Sequence, residues 1–362
     1  MRPAVEAAAR RWWQGELGAA GHVLSAAALP LELLFRGAVA VRGAAYDVDA
    51  LRAARAPLPV VSIGNLTVGG TGKTPLVGWV VRALLEAGRR PAVAVRGYGR
   101  DEALLHARWN PTALVHVDAD RRRAARAASA TGADLLVLDD GFQHLGLARD
   151  LDVVLLAAEQ RFPGPLLPRG PYREAPAALR RADWVVVTRR TAPAAEAERV
   201  EAQVRALDGR LAVARARLAG DHWQALAGHP TAPPRGPVLA VASVAGPEAF
   251  AALVRRETGA DVELLAFADH HEYEPGDLER IRERARGRPV VVTEKDAVKL
   301  AERSGALLGT LQGVRVLALA VEFEAGAEAL RAALLRAATG TVTGAIGGVV
   351  RGDADQAGAG GG

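Results

Sequence analysis

Residues 60–75 read VVSIGNLTVGGTGKTP, which is a short apolar strand, a glycine-rich turn and then Lys-Thr at the start of an amphipathic segment. Glycines let backbone N–H groups close around an anion, and the amino end of the following helix adds a positive dipole. Lys73 can reach the terminal phosphates of a nucleotide, and the Thr74 hydroxyl can bind Mg²⁺. The strict phosphate-loop pattern has glycine where this chain has Thr67.

An ordinary turn before a helix is the alternative interpretation of this stretch. The glycines followed by Lys-Thr favour a nucleoside triphosphate site instead. The predicted nucleotide-binding loop comprises Thr67, Val68, Gly69, Gly70, Thr71, Gly72, Lys73, Thr74 and Pro75.

A pair of carboxylates follows another predicted strand, where LLVL at 135–138 continues into Asp139 and Asp140. An Asp at the carboxyl end of a buried strand holds Mg²⁺ in phosphate-loop proteins, directly or through water. Ligands gather at this edge of a parallel sheet. A strand that ends in an Asp-Gly turn is the alternative. Beside the Lys-Thr loop, we interpret Asp139 and Asp140, with Thr74, as a magnesium site.

Two arginines surround glycines after the strand predicted at Pro91–Val95, in the sequence RGYGR at 96–100. Arginine on a flexible backbone suits an anionic ligand, and a solvated turn is an equal alternative. We assign Arg96 to substrate binding.

The 362 residues can form two domains of ordinary size. Half are hydrophobic but only 4% are aromatic, so the core depends on Ala, Val and Leu. The chain has no cysteine, which excludes disulfides, thiolate metal sites and cysteine nucleophiles. A net charge of +5 and a pI near 10.0 suit an anionic partner such as a nucleotide, a nucleic acid or an acidic membrane surface.

Apolar strands alternate with helical patterns through residue 210, which predicts an α/β fold with a doubly wound parallel sheet of the phosphate-loop kinase type. Leu211–Leu218 then alternates like an exposed ribbon, a Gly/Pro-rich linker follows, and a second, smaller α/β domain comes next. The predicted boundaries are 1–45 for an N-terminal segment, 46–210 for the nucleotide-binding domain, 211–237 for the ribbon and linker, 238–338 for the C-terminal domain and 339–362 for a disordered Gly-rich tail.

Residues 1–42 begin with a basic stretch and continue with a mostly apolar one. Glu32, Arg36 and Pro30 argue against a simple spanning helix, which needs about 20 consecutive apolar residues. We interpret the segment as a helix that lies on a membrane surface, and a helix packed on the protein's own core is the alternative. The predicted apolar anchors are Trp12, Trp13, Leu31, Leu33, Leu34 and Phe35.

Six motifs together carry a resemblance to a known family: GNLTVGGTGKTP, RGYGR followed by Asp-Glu, LDDGFQH, LLPRGPYRE, FADHH and TEKDAVKL. In this order, from about Leu31 to Phe323, the chain resembles the tetraacyldisaccharide 4′-kinases, the lipid A 4′-kinases of Gram-negative outer-membrane biogenesis. The resemblance implies transfer of the γ-phosphate of ATP, with Mg²⁺, to the 4′-hydroxyl of a tetraacylated glucosamine disaccharide 1-phosphate. It implies this reaction at the cytoplasmic face of the inner membrane, in a cleft between two α/β/α domains joined by a β-ribbon.

The partners that the resemblance implies are ATP, Mg²⁺, the lipid acceptor and the membrane surface, without nucleic acid, and the oligomeric state stays open. It also implies that Lys73 acts in catalysis and that Asp101 pairs with His270 as a catalytic dyad. A carboxylate can accept the proton of a sugar hydroxyl while a histidine orients the carboxylate. The doubled histidine leaves His271 as an alternative partner. Residues implied to lie near the substrate or the metal are Gln143, His144, Arg173 and Glu174, and those implied to contact the nucleotide base are Lys295 and Asp296.

The chain departs from the family pattern around Asp101. Arg100 directly precedes Asp101, and Ala103 stands where the family has proline. We therefore expect a shorter loop to present Asp101. Two other functions use a similar phosphate loop: a GTPase-type or metallochaperone switch, which would not need FADHH, and a soluble small-molecule kinase whose residues 19–42 pack on the core.

Overall fold

One sheet runs through the fold. In this computed structural model, the described residues are 2–48, 50–97, 99–302 and 313–340. The strands within them are β1 (Val60–Asn65), β2 (Pro91–Val95), β3 (Leu114–Val117), β4 (Leu135–Asp139), β5 (Leu151–Ala157), β6 (Trp184–Arg189), β7 (Ala212–Ala225), β8 (Val238–Ala242), β9 (Val262–Ala266), β10 (Val290–Thr293) and β11 (Arg315–Ala325). Their order across the sheet is β3-β2-β4-β1-β5-β6-β7-β11-β10-β8-β9. The predicted tail lies outside the described residues from residue 341 onward.

Neighbouring strands are parallel except β7 and β11, which are antiparallel. Strands such as β1, β2 and β5 are buried along their whole length, which explains why their sequences are continuous apolar runs rather than alternating ones. The register pairs Ile63 with Asp139, so β4 ends beside the strand that leads into the phosphate loop. The predicted α/β class with a mainly parallel sheet is confirmed.

Helices cover the faces and ends of this sheet. They are α1 (Arg2–Trp13), α2 (Gly18–Asp47), α3 (Lys73–Glu86), α4 (Arg100–Trp109), α5 (Arg121–Ala130), α6 (Ala194–Leu207), α7 (Pro247–Thr258), α8 (Pro275–Ala285), α9 (Glu294–Glu302) and α10 (Ala327–Ala338), with a 3₁₀ helix at Pro176–Arg181. Local signals start several of them. In α5 the Asp120 side chain accepts hydrogen bonds from two first-turn amides, and α8 begins with a reciprocal capping box between Glu274 and Asp277. Helices α4, α6 and α9 are not among the predicted elements.

Strand β7 pairs antiparallel with β11 as the predicted ribbon between the two halves, but it is buried rather than exposed. It lies between β6 and β11 and joins the two halves into one continuous sheet. Its residues Ala214, Ala216 and Leu218 are buried. The alternation in the sequence arises because one face of this strand is packed more deeply than the other, not because the strand projects into solvent.

Helix α10 corrects the predicted C-terminal boundary, because it packs on the first half of the molecule. Leu330, Leu334 and Ala337 share a buried cluster with Val61 of β1 and Leu76 of α3. Strand β11 runs antiparallel to β7, so the chain returns from the second half to the nucleotide-binding half before α10 begins. Residues 327–338 therefore complete the core around the nucleotide-binding half.

Helix α2 lies largely outside the core. By length and composition, α2 could cross a membrane. Only 11% of its most apolar 18-residue stretch is buried. Leu31, Leu33 and Leu34 are exposed, as expected of apolar anchors.

Three of the predicted anchors face protein instead of solvent. Trp12 Nε1 donates to Gly21 O at 3.0 Å, Trp13 Nε1 donates to Pro168 O at 3.0 Å, and Phe35 packs against a buried cluster. Buried indole N–H groups usually find an acceptor, and here Trp12 attaches α1 to α2 while Trp13 attaches α1 to the 161–174 loop.

Candidate active site

A cleft of about 630 Å³ lies between the phosphate loop, helix α4 and the loops of the second half. The predicted site residues that line it are Thr67–Pro75, Arg96, Asp139, Asp140, Arg173, His270 and Lys295. The predicted site residues outside its wall are Asp101, Gln143, His144, Glu174 and Asp296.

Hydrogen bonds from strands β1 and β6 hold the glycine-rich loop. Asn65 Nδ2 donates to Thr71 Oγ1 at 2.8 Å, and Thr188 Oγ1 donates to Thr71 O at 2.8 Å. Gly72 has φ 91°, a left-handed conformation, and a Cβ there would lie 2.6 Å from Leu218 Cδ1. Glycine is therefore required where the loop turns into α3.

Thr67 replaces the first glycine of the strict pattern without opening the loop. Its side chain is buried, and its hydroxyl donates to Gln160 Oε1 at 2.8 Å. It also forms an isolated backbone bridge with Tyr172. The departure thus anchors the loop to the segment after β5 and to the 161–174 loop.

Asp140 forms an ion-paired centre at the end of β4. Arg173 donates to its two carboxylate oxygens at 3.0 and 3.1 Å, and Lys73 Nζ lies 3.5 Å from Oδ1. Burial alone would raise the pKa of Asp140, but the charges of Lys73 and Arg173 outweigh burial and hold that pKa far below its ordinary value. Asp140 is a carboxylate at any physiological pH.

Asp139 is fixed by residues that the sequence did not single out. His106 Nε2 lies 3.1 Å from Asp139 Oδ2, and Arg121 donates to Asp139 O at 2.9 Å. Glu102 also lines the cleft, and burial together with the charge of Asp139 raises the pKa of Glu102.

The donor set suits Mg²⁺. The described residues hold no group of three His, Cys, Asp or Glu ligands, but Mg²⁺ needs only one or two carboxylates when phosphates and water complete its octahedron. Thr74, Asp139 and Asp140 provide one hydroxyl and two carboxylates at the cleft. The repulsion that raises the pKa of Glu102 beside Asp139 is of the kind that a cation relieves.

Asp101 and His270 meet across the two halves of the molecule. His270 Nδ1 lies 3.1 Å from both carboxylate oxygens of Asp101, although the residues are 169 positions apart. Burial would raise the pKa of Asp101, but the hydrogen bond to His270 and the charge of Lys295 lower that pKa to about 2. A Cβ on Gly99 would lie 2.7 Å from His270 Nδ1, so glycine in RGYGR leaves room for the pair.

Only one member of this pair reaches the cleft. Asp101 is 1% exposed, whereas the His270 side chain is 33% exposed and lines the cavity. The backbone of His270 has φ 56° and donates to Ser243 O at 3.2 Å. The hydrogen bond to Asp101 raises the pKa of His270, against the effect of burial. His271 instead contacts Asp277 at 2.8 Å, so the geometry separates the two histidines.

The short loop expected before Asp101 is replaced by helix. Asp101 and Glu102 lie in the first turn of α4, where carboxylates are favoured by the helix dipole. This acidic first turn, with His106 and Arg108 in the last turn, is a helix signal that the sequence reading overlooked.

Gln143, Glu174 and His144 do not line the cleft. Gln143 Nε2 donates to Asn65 O at 2.9 Å and to Glu174 Oε1 at 3.0 Å, and Arg181 donates to Glu174 Oε2 at 2.8 Å. Burial first, and then the charges of nearby arginines, lowers the pKa of His144 to about 4. Gln143 and Glu174 therefore support the end of β1, which leads into the phosphate loop.

Lys295 and Asp296, the two residues predicted to contact the nucleotide base, have different surroundings. Asp296 is fully buried, and it accepts hydrogen bonds from Ser243, Thr293 and Tyr273. Its carboxylate therefore organises the second half, and it is not available to a ligand. Lys295 does line the cleft, but its Nζ lies 3.4 Å from Glu102 Oε1 and 4.0 Å from Asp101 Oδ2.

Helix α9 contributes another contact between the halves. Trp109 Nε1 at the end of α4 donates to Glu294 Oε1 at 2.7 Å, and Leu319 N donates to Glu294 Oε2 at 3.0 Å. Both Trp109 and Glu294 line the cleft, and neither was predicted as a site residue.

Comparisons with known proteins agree with this architecture. The profile of the tetraacyldisaccharide-1-P 4′-kinase family (LpxK) matches residues 24–104 and 100–339. The chain is 42% identical over 361 residues to the tetraacyldisaccharide 4′-kinase of Anaeromyxobacter dehalogenans strain 2CP-C, a match that covers 89% of this chain and 93% of that protein. It is 37% identical over 342 residues to the enzyme of the same name from Chlorobium luteolum, covering 83% and 94%.

A crystal structure shows the same fold. LpxK from Aquifex aeolicus, solved in complex with ATP, superposes with a TM-score of 0.67 over 87% of this chain and 99% of that one, at 24% identity. The profile and the sequence relatives both span most of the chain. The chain belongs to the tetraacyldisaccharide-1-P 4′-kinase family.

Proposed function

We propose that this protein transfers the γ-phosphate of ATP to the 4′-hydroxyl of a tetraacyldisaccharide 1-phosphate, a step of lipid A biosynthesis. The observation that carries the proposal is that one cleft contains both the phosphate loop and the exposed edge of the His270–Asp101 pair. A donor site and a proton acceptor that face the same space are the two requirements for phosphoryl transfer to an alcohol. Family membership supplies the identity of the acceptor.

The donor side consists of the phosphate loop and its charged neighbours. The loop amides and the amino end of α3 bind the phosphates, and Lys73 contacts the terminal ones. Thr74, Asp139 and Asp140 would hold Mg²⁺, which would neutralise phosphate charge there. Arg173 and Lys73 keep Asp140 ionised, so this carboxylate is ready for the metal.

The acceptor side depends on the dyad. The 4′-oxygen forms a bond to the γ-phosphorus, the bond between that phosphorus and the β–γ bridging oxygen breaks, and ADP leaves. The sequence suggests that Asp101 accepts the hydroxyl proton, but its burial and its pKa of about 2 make it a poor base in the cleft. We propose instead that His270 Nε2 accepts the proton while Asp101 orients the ring through Nδ1–H.

The remaining assignments follow from position. Arg96 and Arg173 both line the cleft, and we propose that both bind the anionic acceptor. Gln143, His144 and Glu174 are proposed to act on the substrate indirectly, by holding the loop and Arg173 in place.

We further propose that helix α2 binds the cytoplasmic face of the inner membrane, where the lipid acceptor resides. Its exposed leucines would enter the headgroup region, because each buried leucine side chain contributes about 1.5–3 kcal/mol. A variant with Leu31, Leu33 and Leu34 replaced by Ser should co-sediment with anionic vesicles at least about tenfold less than the wild type. Val117→Ser removes an equally exposed apolar side chain elsewhere and serves as the control. Equal sedimentation of all three proteins would reject the membrane role of α2.

The activity is tested directly with purified protein, ATP and Mg²⁺. Mixed micelles that contain a tetraacyldisaccharide 1-phosphate should yield a product one phosphate heavier by mass spectrometry. Two further assays test the alternative functions. A small-molecule kinase would phosphorylate a water-soluble glucosamine acceptor in preference to the lipid. A switch would hydrolyse GTP without transferring phosphate to an acceptor. The absence of phosphorylated lipid from folded protein would contradict the proposal.

A further inference from the structure

Arg190 lies immediately after β6, on a segment that is fixed to the phosphate loop. The backbone amides of Arg190, Thr191 and Ala192 donate to Glu159 Oε1 at 2.6, 3.0 and 3.1 Å. Two residues earlier, the Thr188 hydroxyl holds a carbonyl of the phosphate loop at 2.8 Å. Because one carboxylate oxygen binds three consecutive amides, the backbone that carries the Arg190 side chain is held in one position.

The guanidinium of Arg190 lies between the donor and acceptor sides of the cleft. A Cβ on Gly70 would be 3.5 Å from both terminal nitrogens, and a Cβ on Gly246 would be 3.8 Å from Nη1. Gly70 belongs to the phosphate loop. Gly246 belongs to the turn that starts at Ser243, whose carbonyl accepts the backbone N–H of His270. The guanidinium therefore lies in the cleft between the phosphate loop and the turn at 243–246, which also holds the backbone of His270.

Among the described residues, no carboxylate forms an ion pair within 4 Å of the Arg190 guanidinium; burial lowers the pKa of Arg190, and the more distant charge of Glu159 opposes this only in part. Its neighbours in the cleft wall differ: Arg189 pairs with Glu324, and Arg173 pairs with Asp140. Desolvating a cation without a partner costs free energy, and such a cation in a cleft is suited to an anionic ligand. A planar guanidinium can donate two parallel hydrogen bonds to phosphate oxygens.

We propose that Arg190 binds the γ-phosphoryl oxygens of ATP and stabilises the negative charge on the group in transit to the acceptor. This inference rests on the proposed kinase function. An arginine in this role acts most strongly when the phosphoryl group lies between donor and acceptor, so its effect falls mainly on kcat. Since ADP lacks the γ-phosphate, Arg190 distinguishes ATP from ADP.

The test compares Arg190→Ala and Arg190→Lys with Arg180→Ala, which removes an exposed arginine outside the cleft wall. The readouts are kcat in the mixed-micelle assay, Kd for ATP and ADP by titration calorimetry, and the melting temperature. Arg190→Ala should lower kcat by about 10²–10³-fold, the usual effect of losing one charge-stabilising donor. It should weaken ATP binding about tenfold more than ADP binding. Arg190→Lys should restore part of kcat, and Arg180→Ala should match the wild type.

A kcat for Arg190→Ala close to the wild-type value would overturn the inference, and so would equal weakening of ATP and ADP binding. If Arg190→Ala does not fold, Arg190→Gln keeps the side-chain length without the charge and should show the same ATP-selective loss. A wild-type protein that binds ATP but does not phosphorylate the lipid would refute the proposed function. In that case the ATP-to-ADP contrast still decides whether Arg190 recognises the γ-phosphate.

Discussion

Replacing Asp101 with Asn tests which member of the dyad accepts the proton. In the wild type, the hydrogen bond from His270 to Asp101 raises the pKa of His270 above its ordinary 6.5, and burial opposes this effect. The charges of Asp101 and Asp269 raise the pKa further, and the charge of Lys295 lowers it. Because a general base must be neutral, kcat should rise with pH through a limb above pH 6.5 and then level off.

Asp101→Asn removes the charge and the acceptor that fix the imidazole. Burial raises the Asp101 pKa, but the hydrogen bond to His270 and the charge of Lys295 outweigh it and leave the pKa at about 2 instead of 3.8, a net preference for the carboxylate of roughly 2 kcal/mol. The plateau of kcat should fall by about 10²–10⁴-fold, because the imidazole loses the carboxylate that orients it and can take the wrong tautomer. Burial and Lys295 remain in the variant, so its rising limb should move to lower pH.

The assay is the initial rate of lipid phosphorylation from pH 5 to 9, at saturating ATP, for the wild type and the variant. Far-UV circular dichroism over the same range checks that both stay folded. A wild-type rate that is flat across this range, with a variant profile parallel to it, would refute the argument. Asp101 itself, already ionised above a pKa of about 2, would then be the proton acceptor.

Other substitutions separate catalysis from structure. Lys73→Ala should lower kcat at least about 10²-fold in the same assay, since a phosphate contact is lost, and near-normal turnover would exclude the phosphate loop from the mechanism. His271→Ala breaks the 2.8 Å contact with Asp277, so it should lower the melting temperature yet leave kcat near the wild-type value, and a large loss of kcat would contradict the separation of the two histidines. Trp109→Phe leaves a buried Glu294 oxygen without its donor and should cost about 1–3 kcal/mol of unfolding free energy in urea titrations, whereas an unchanged midpoint would mean that Glu294 finds another partner.

Several structural assignments depend on contacts that no local pattern reveals. Asp296 and Lys295 are adjacent, yet one is enclosed by Ser243 and Tyr273 while the other faces the cleft. Trp12 resembles a membrane anchor in sequence, but its indole binds α2. Residue type and helical period are the same for a lipid-facing and a protein-facing side chain, so only the surroundings distinguish them.

The sequence by itself determined the local parts of this protein. Glycine spacing before Lys73 predicted the phosphate loop, apolar runs predicted the parallel strands, and acidic residues after LLVL predicted Asp139 and Asp140 at the sheet edge, because these features depend on backbone preferences within a few residues. Tertiary structure alone decided that β7 and β11 merge the two halves into one continuous sheet and that α10 returns to the first half, and it excluded His271, the alternative partner of Asp101. These outcomes depend on strand order and on contacts between distant segments, and many arrangements of a chain share the same local signals.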